Sequence, residues 1–325
     1  MIQQLEILST FIGNTPLRQL VYEQADIYAK LEYNNFSGSS KDRAAYSMIY
    51  NGIKEGKINQ DTTIIASSSG NLAIAVATIC KILKLKFIPV IDPNINPDYE
   101  TLLNLISYKV EKVQLRDKTG GFLLTRIDTV NEMIAATPNS FCVDQYGDPN
   151  NYKGYHGLGK EIVNAFSQLD YIFIAVSSSG AITGISESVK ANMPAVKIIG
   201  VDVEGSVIFG QQPRKRSISG IGASKVPPIM KNAIIDDFII VSQGSIIHGC
   251  YELLKDQGIF AGASSGAVYY AAKSYLKENE NGEKPSGLLI FPDKGFAYLD
   301  TIYNKKWAEQ ITGKPSQPAL SGEVK

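Results

Sequence analysis

Thr62-Thr-Ile-Ile-Ala-Ser-Ser-Ser-Gly-Asn71, continued by Leu72-Ala-Ile-Ala-Val-Ala-Thr-Ile-Cys-Lys-Ile-Leu83 and Lys84-Leu-Lys-Phe-Ile-Pro-Val-Ile-Asp92, decides the fold. Residues 62–66 are short and largely apolar or β-branched, which suits a buried strand. Residues 67–71 are small and polar, the composition of a tight loop. Residues 72–83 run twelve positions without Gly or Pro, enough for a helix, and 86–92 form a second apolar strand. Two strands joined through a helix are parallel, because only a crossover of that length brings the chain back to the same end of a sheet. Residues 72–91 are also the most hydrophobic window, but Lys81, Lys84 and Lys86 lie in it. A lysine near a bilayer centre costs about 2.5–3.5 kcal/mol, so the window reads as helix plus strand and not as a membrane span.

The same alternation extends both ways. Downstream, Pro93 and Pro97 end the strand, a helix is expected around 102–106, a strand at 110–115, a helix at 122–135 and a strand at 141–143. After Gly147-Asp-Pro149 the pattern restarts: helix 157–166, strand 171–176, the loop Ser177-Ser-Ser-Gly180, helix 181–190 and strand 197–202. A strand at 238–241, a helix at 245–257, a loop at 258–266, a helix at 267–276 and a strand at 287–291 follow. The segment 205–225, rich in Gly, Ser and Arg, reads as a long surface loop, the usual seat of specificity. Upstream, the turn Ile12-Gly-Asn-Thr-Pro-Leu17 precedes an apolar run at 25–31. The class is α/β, built on open parallel sheets in three layers.

Composition narrows the partners. Thirty-two basic residues balance thirty-two acidic ones, so there is no electrostatic footprint for nucleic acid and no polybasic membrane signal. Small molecules are the expected partners. Cys80, Cys142 and Cys250 are odd in number and far apart, which argues against a disulfide framework or a metal site and for buried apolar packing in a reducing compartment. The first residues carry no export signal, and a cytoplasmic location is expected.

Three loops carry the chemistry. Ser67–Asn71 and Ser177–Ala181 each follow a strand and open a helix, where small residues expose backbone N–H groups to an anion. One suits a carboxylate and the other a phosphate, and each taken singly also reads as an ordinary turn. The third is Ser37-Gly-Ser-Ser-Lys-Asp-Arg43. Lys41 there stands at the start of a helix, where desolvation and nearby helix amides favour a neutral, nucleophilic amine suited to a carbonyl carbon. Taken alone, it reads rather as a solvated lysine, and the motifs further along the chain overturn that reading.

Lys30-Leu-Glu-Tyr-Asn-Asn35, Ser39-Ser-Lys-Asp-Arg43, Ser68-Ser-Gly-Asn71, Gln145, Gly220-Ile-Gly-Ala223 and Gly262-Ala-Ser-Ser-Gly266 stand in one order. Together they resemble the fold-type II pyridoxal-phosphate enzymes of the cysteine synthase group, the β-substituted alanine synthases, with a fold like that of the tryptophan synthase β chain. The resemblance implies pyridoxal 5'-phosphate as cofactor, with Lys41 as the lysine joined to it and moving the α-proton. It implies Asn71 beside the cofactor's phenolic oxygen, and Ser177, Ser178, Ser179, Gly180 and Ala181 as its phosphate loop. Ser264 takes the place facing the pyridine nitrogen, where a neutral hydroxyl suits loss of a leaving group from Cβ through an aminoacrylate. Ser68, Ser69 and Gln145 match the pocket for the substrate carboxylate. Phe36, Ala66 and the serines of the phosphate loop depart from the family pattern.

Further details resemble one branch, the N-(2-amino-2-carboxyethyl)-L-glutamate synthases of siderophore and 2,3-diaminopropionate synthesis: Gly120-Gly-Phe-Leu-Leu-Thr-Arg126, Gly205-Ser-Val-Ile-Phe-Gly210, Gly220-Ile-Gly-Ala-Ser-Lys-Val-Pro227, Gly258-Ile-Phe-Ala-Gly262 and Pro292-Asp-Lys-Gly295. That branch implies O-phospho-L-serine and L-glutamate as substrates. The alternative is a cysteine synthase acting on acetylserine or phosphoserine with sulfide. Extra negative charge calls for extra cations, which singles out Arg126 first, then Lys225, with Tyr146 beside Gln145. The Arg214-Lys-Arg216 run reads as solvated loop charge. His156 and His248 receive no role, and Cys250 and Trp307 read as packing residues. The resemblance also implies a homodimer, a larger cofactor domain of residues 1–44 with 151–312, a smaller mobile domain of 45–150 closing over substrate, and a flexible tail at 313–325.

Overall fold

The computed structural model describes residues 1–118, 120–278 and 284–313. All of the expected tail except Gly313 therefore lies outside the described residues. The strands in chain order are β1 Leu17–Gln19, β2 Asp26–Leu31, β3 Thr63–Ser67, β4 Lys86–Ile91, β5 Glu111–Lys112, β6 Ser140–Cys142, β7 Tyr171–Ala175, β8 Lys197–Val203, β9 Asp237–Val241 and β10 Ser286–Phe291. The chain divides into two compact units, Met1–Asn14 with Asn34–Leu158, and Thr15–Tyr33 with the residues from Gly159 onward.

The first unit holds a four-stranded sheet in the order β5-β4-β3-β6, parallel throughout. β3 and β4 run in register from Thr63 opposite Lys86 to Ser67 opposite Val90, with the helix Asn71–Leu83 as their crossover. That helix buries Leu72, Ala73, Ile74, Ala75, Val76, Ala77, Ile79, Cys80 and Leu83, so it is apolar on nearly every side because it is covered on nearly every side. Ile65, Ile88, Val90, Val113, Phe122 and Val130 form a core on the sheet. The strand expected at 110–115 shortens to Glu111–Lys112, which pairs only with Val90 and Ile91; an edge strand has a partner on one side, and Leu115 is left exposed. The helix Lys41–Lys54 packs on Asn71–Leu83 and Pro149–Lys153. Residues 1–14, 34–44 and 151–158 thus group with the first unit, whereas the sequence division sets 1–44 and 151–312 with the larger domain.

The second unit holds a six-stranded sheet in the order β1-β2-β10-β7-β8-β9. Its strands are parallel except β1, which pairs antiparallel with β2 from Leu17 opposite Lys30 to Gln19 opposite Tyr28. The parallel-sheet expectation is met with one antiparallel edge added. β1 escapes sequence reading because it is three exposed residues, and the helix Ile2–Ser9 was likewise not expected. Segment 205–225 contains no helix or strand, but it is not simply surface: Ser206, Ile208, Ile218, Ile221 and Ala223 are buried. The Arg216 guanidinium donates to the carbonyls of Gly205 and Ala223 and to Ser224 Oγ. Arg216 thus braces the segment and is not a solvated charge.

The helices Gln243–Gln257 and Ala263–Glu278 meet at two glycines. A Cβ on Gly249 would lie 2.2 Å from the Gly266 carbonyl oxygen, and one on Gly266 would lie 2.7 Å from the Ile246 carbonyl oxygen. The second helix begins at Ala263, four residues before the expected start at 267 and inside the expected loop. Cys80 and Cys250 are buried, but Cys142 is only partly so, against the expectation for all three. Burial pushes the Cys250 thiol up to about 12 and the Cys142 thiol up to about 11. Trp307 packs, partly buried, against the second unit's core. No described helix is long and apolar enough to cross a membrane.

Candidate active site

Lys41 is the first residue of the helix Lys41–Lys54 and is partly buried. Its loop is held from both sides. The Lys41 N–H donates to Ser39 Oγ at 3.3 Å, and the Asp42 carboxylate reaches back to accept from the Ser37 N–H at 2.8 Å. Behind it, Ala44, Ala45, Met48 and Ile49 anchor the helix in the core. The amine thus extends from the fixed first turn of a well-packed helix.

The loop after β3 lies in the same unit. Ser68 is buried, and the Gly70 N–H donates to its Oγ at 3.5 Å. The Gln145 side-chain amide donates to the Ser67 carbonyl at 3.2 Å, and the Asn151 amide donates to the Gln145 carbonyl. The structure therefore brings Gln145 beside the serine loop. Asn71 opens the helix Asn71–Leu83, and the Tyr99 hydroxyl donates to its Oδ1 at 2.7 Å. With the oxygen accepting, the nitrogen is the donating end of the amide. Tyr99 escaped sequence reading, since nothing local links a tyrosine in one helix to an asparagine in another. Tyr99→Phe should lower kcat about three- to tenfold, the scale of one lost hydrogen bond, with the fold unchanged by circular dichroism.

Arg126, expected as either a leaving-group cation or a solvated charge, is not solvated. Its side chain is 13% exposed, its Nη1 lies 3.2 Å from Asp92 Oδ2, and it donates to Ser69 Oγ at 2.8 Å. Ser69 Oγ in turn donates to Asp92 Oδ2 at 3.1 Å and accepts from the Asp92 N–H at 3.2 Å. Arg126 Nε is buried without a hydrogen-bond partner among the described residues. Tyr146 is partly buried; desolvation pushes its phenol up, opposed by the Arg126 charge. Asp92 was also missed, although its place at the carboxyl end of a parallel strand was the available signal.

In the second unit, the loop after β7 leads into the helix Gly180–Lys190. Ser178, Ser179 and Gly180 are buried, Ala181 is half-buried, and the Ser177 hydroxyl donates to the Gly222 carbonyl at 3.1 Å. Ser179 Oγ is buried with no partner among the described residues. The first N–H groups of any helix also lack partners within it, so hydroxyl and amides together form a donor set fitted to phosphate. Ser179 sits at φ 65° and ψ 0°, the left-handed region that costs a side-chain-bearing residue roughly 1–2 kcal/mol. Ser179→Gly should therefore raise the melting temperature and at the same time weaken phosphate retention. A gain of about 1 kcal/mol in thermal melts, with a higher coenzyme dissociation constant, is the expected pair of results.

Ser264 is buried in the first turn of the helix Ala263–Glu278, and its hydroxyl donates to the Gly220 carbonyl at 3.1 Å. Lys225 is exposed, and no contact among the described residues ties it to the phosphate loop. His248 lies 3.6 Å from Glu252 one helical turn on and meets the Tyr270 ring edge-on. No group of His, Cys, Asp and Glu suited to a metal ion occurs among the described residues.

A family model described as pyridoxal-phosphate dependent enzyme matches residues 8–293. The N-(2-amino-2-carboxyethyl)-L-glutamate synthase of Ralstonia nicotianae is 41% identical over 317 residues, covering 95% of this chain and 93% of its own. Among solved structures, the O-acetylserine dependent cystathionine beta-synthase from Helicobacter pylori matches with a TM-score of 0.83 at 31% identity, over 90% of this chain and 97% of its own. A hydrogen sulfide-producing enzyme from Fusobacterium nucleatum matches with a TM-score of 0.82 at 27% identity, over 90% and 99%. On these grounds the chain belongs to the pyridoxal-phosphate dependent enzymes, as a synthase that works with pyridoxal 5'-phosphate.

Proposed function

We propose that this enzyme joins O-phospho-L-serine to L-glutamate, giving N-(2-amino-2-carboxyethyl)-L-glutamate and phosphate. The bond broken is Cβ–O of the phosphate ester, whose electron pair leaves with phosphate. The bond formed is Cβ–N to the glutamate nitrogen, which gives up a proton. Pyridoxal 5'-phosphate, when bound, supplies the electron sink that lets the Cα proton and the Cβ substituent depart.

In this reading Lys41 holds the coenzyme, takes the Cα proton and later returns it. Asn71 donates through its amide nitrogen to the phenolic oxygen. Ser177, Ser178 and Ser179, with the backbone of Gly180 and Ala181, hold the coenzyme phosphate, and Ser264 faces the ring nitrogen. The Ser68 hydroxyl, the Ser69 backbone and Gln145 take the substrate carboxylate, and Arg126 with Tyr146 receives the leaving phosphate. Lys225, being exposed, contributes charge to the approach of anions rather than direct contact. The same proposal includes a homodimer, to be checked by sedimentation.

One observation carries the choice of substrate. Arg126 is a partly buried cation tied to Ser69 of the carboxylate loop, and a substrate with a neutral leaving group has no use for a cation there. The 41% identical relative supports the glutamate half. The test is incubation of the holoenzyme with O-phospho-L-serine or O-acetyl-L-serine, each with L-glutamate or sulfide, and product analysis by mass. A glutamate adduct formed from phosphoserine, with one phosphate released per adduct, is expected. Cysteine as the sole product would replace this reading with that of a cysteine synthase.

A further inference from the structure

We infer that Asp92 is a positioning residue that fixes the Arg126 guanidinium, and that the Ser69 side chain works with this pair and not as a ligand of the substrate carboxylate. A serine hydroxyl has one proton to give and two lone pairs. In Ser69 all three are in use: the proton goes to Asp92 Oδ2, and the lone pairs accept from Arg126 Nη1 and the Asp92 N–H. Nothing remains on that oxygen to donate to a carboxylate. Asp92 Oδ1 is in turn fixed by the Asn94 N–H at 2.9 Å.

The cluster joins three elements of one unit. Ser69 comes from the loop after β3, Asp92 follows the end of β4, and Arg126 lies in the first turn of the helix Leu123–Ala136. The guanidinium meets both Asp92 and Ser69 through the single nitrogen Nη1, while Nε stays buried and without a partner among the described residues. A planar fork anchored at one tip presents its other donors away from that anchor. The carboxylate thus orients the arginine without contacting substrate itself.

This inference rests on the proposed role of Arg126 at the leaving phosphate, and the test separates the two. Asp92→Asn, Ser69→Ala and the double variant are compared with wild type on O-phospho-L-serine and O-acetyl-L-serine. Each single variant should raise KM for phosphoserine about tenfold, the worth of one charge-assisted contact, while for Asp92→Asn acetylserine kinetics stay within about twofold. The double variant should be no worse than the worse single one, because both act through one guanidinium. Equal losses on both substrates would overturn the inference by making the cluster a general loop brace, and a KM rise for both in Ser69→Ala alone would restore Ser69 as a carboxylate ligand. Melting temperatures supply an independent arm: sub-additive shifts in the double variant support the coupling, and additive shifts refute it. Failure of wild type to use phosphoserine would sink the proposed substrate, leaving the melting cycle to judge the cluster.

Discussion

Lys41→Ala loses turnover by about a thousandfold or more, the scale expected when the covalent and acid–base group of a site is removed. It also loses the visible absorbance of lysine-bound coenzyme. The fold should survive, because Lys41 is the first residue of its helix and is only partly buried, while Ala44, Ala45, Met48 and Ile49 carry the packing. Coenzyme should still associate, more weakly, through the phosphate loop. Added primary amine should restore part of the absorbance, since it supplies the missing functional group. A Lys41→Ala variant retaining both the absorbance and near-normal turnover would remove Lys41 from the chemistry.

Gly249→Val produces the largest loss of stability. A Cβ there would sit 2.2 Å from the Gly266 carbonyl oxygen and 3.2 Å from Tyr270 Cβ. The nearest atom is backbone, so no rotamer change relieves the clash and the two helices must separate. Overpacking of this kind costs about 3 kcal/mol or more, a large share of the roughly 5–15 kcal/mol by which folded proteins exceed their unfolded chains. Gly244→Ala on the same helix is the control. Its Cβ would meet only Ser242 Oγ at 3.6 Å and Thr312 Cγ2 at 3.8 Å, and its melting temperature should hold or rise slightly. Equal melting temperatures for Gly249→Val and Gly244→Ala would contradict the close helix crossing.

These two positions also show what sequence can and cannot convey. Lys41 is only suggested locally, through small residues before it and a helix after it, and it is the motifs that follow in order along the chain that single it out. Gly266 misleads for a physical reason. A glycine in Gly262-Ala-Ser-Ser-Gly266 looks like a turn signal, yet it lies inside a helix because only a missing Cβ lets a neighbouring helix approach so closely. Ser264 consequently sits in a helix and not in a loop. Likewise the serines of 177–179 are visible as a small-residue loop opening a helix, but the left-handed backbone of Ser179 and the lack of a partner for its hydroxyl among the described residues are not.

By itself the sequence determined the alternation of strands and helices, the parallel sheets, the lysine, asparagine and serine loops, and through their order the coenzyme. The alternation and the parallel sheets follow from periodicity and from residues adjacent in the chain, which each segment carries on its own, whereas the coenzyme follows from the resemblance of the ordered motifs to a known family. Only the tertiary structure decided that Arg126 is bound to Asp92, that Ser69 spends its hydroxyl on that pair, that Tyr99 turns the Asn71 amide and that Lys225 faces solvent. The reason is that hydrogen-bond partners are chosen by distance in space, and a polar residue in a sequence shows what it can donate or accept but not which group the fold sets opposite it.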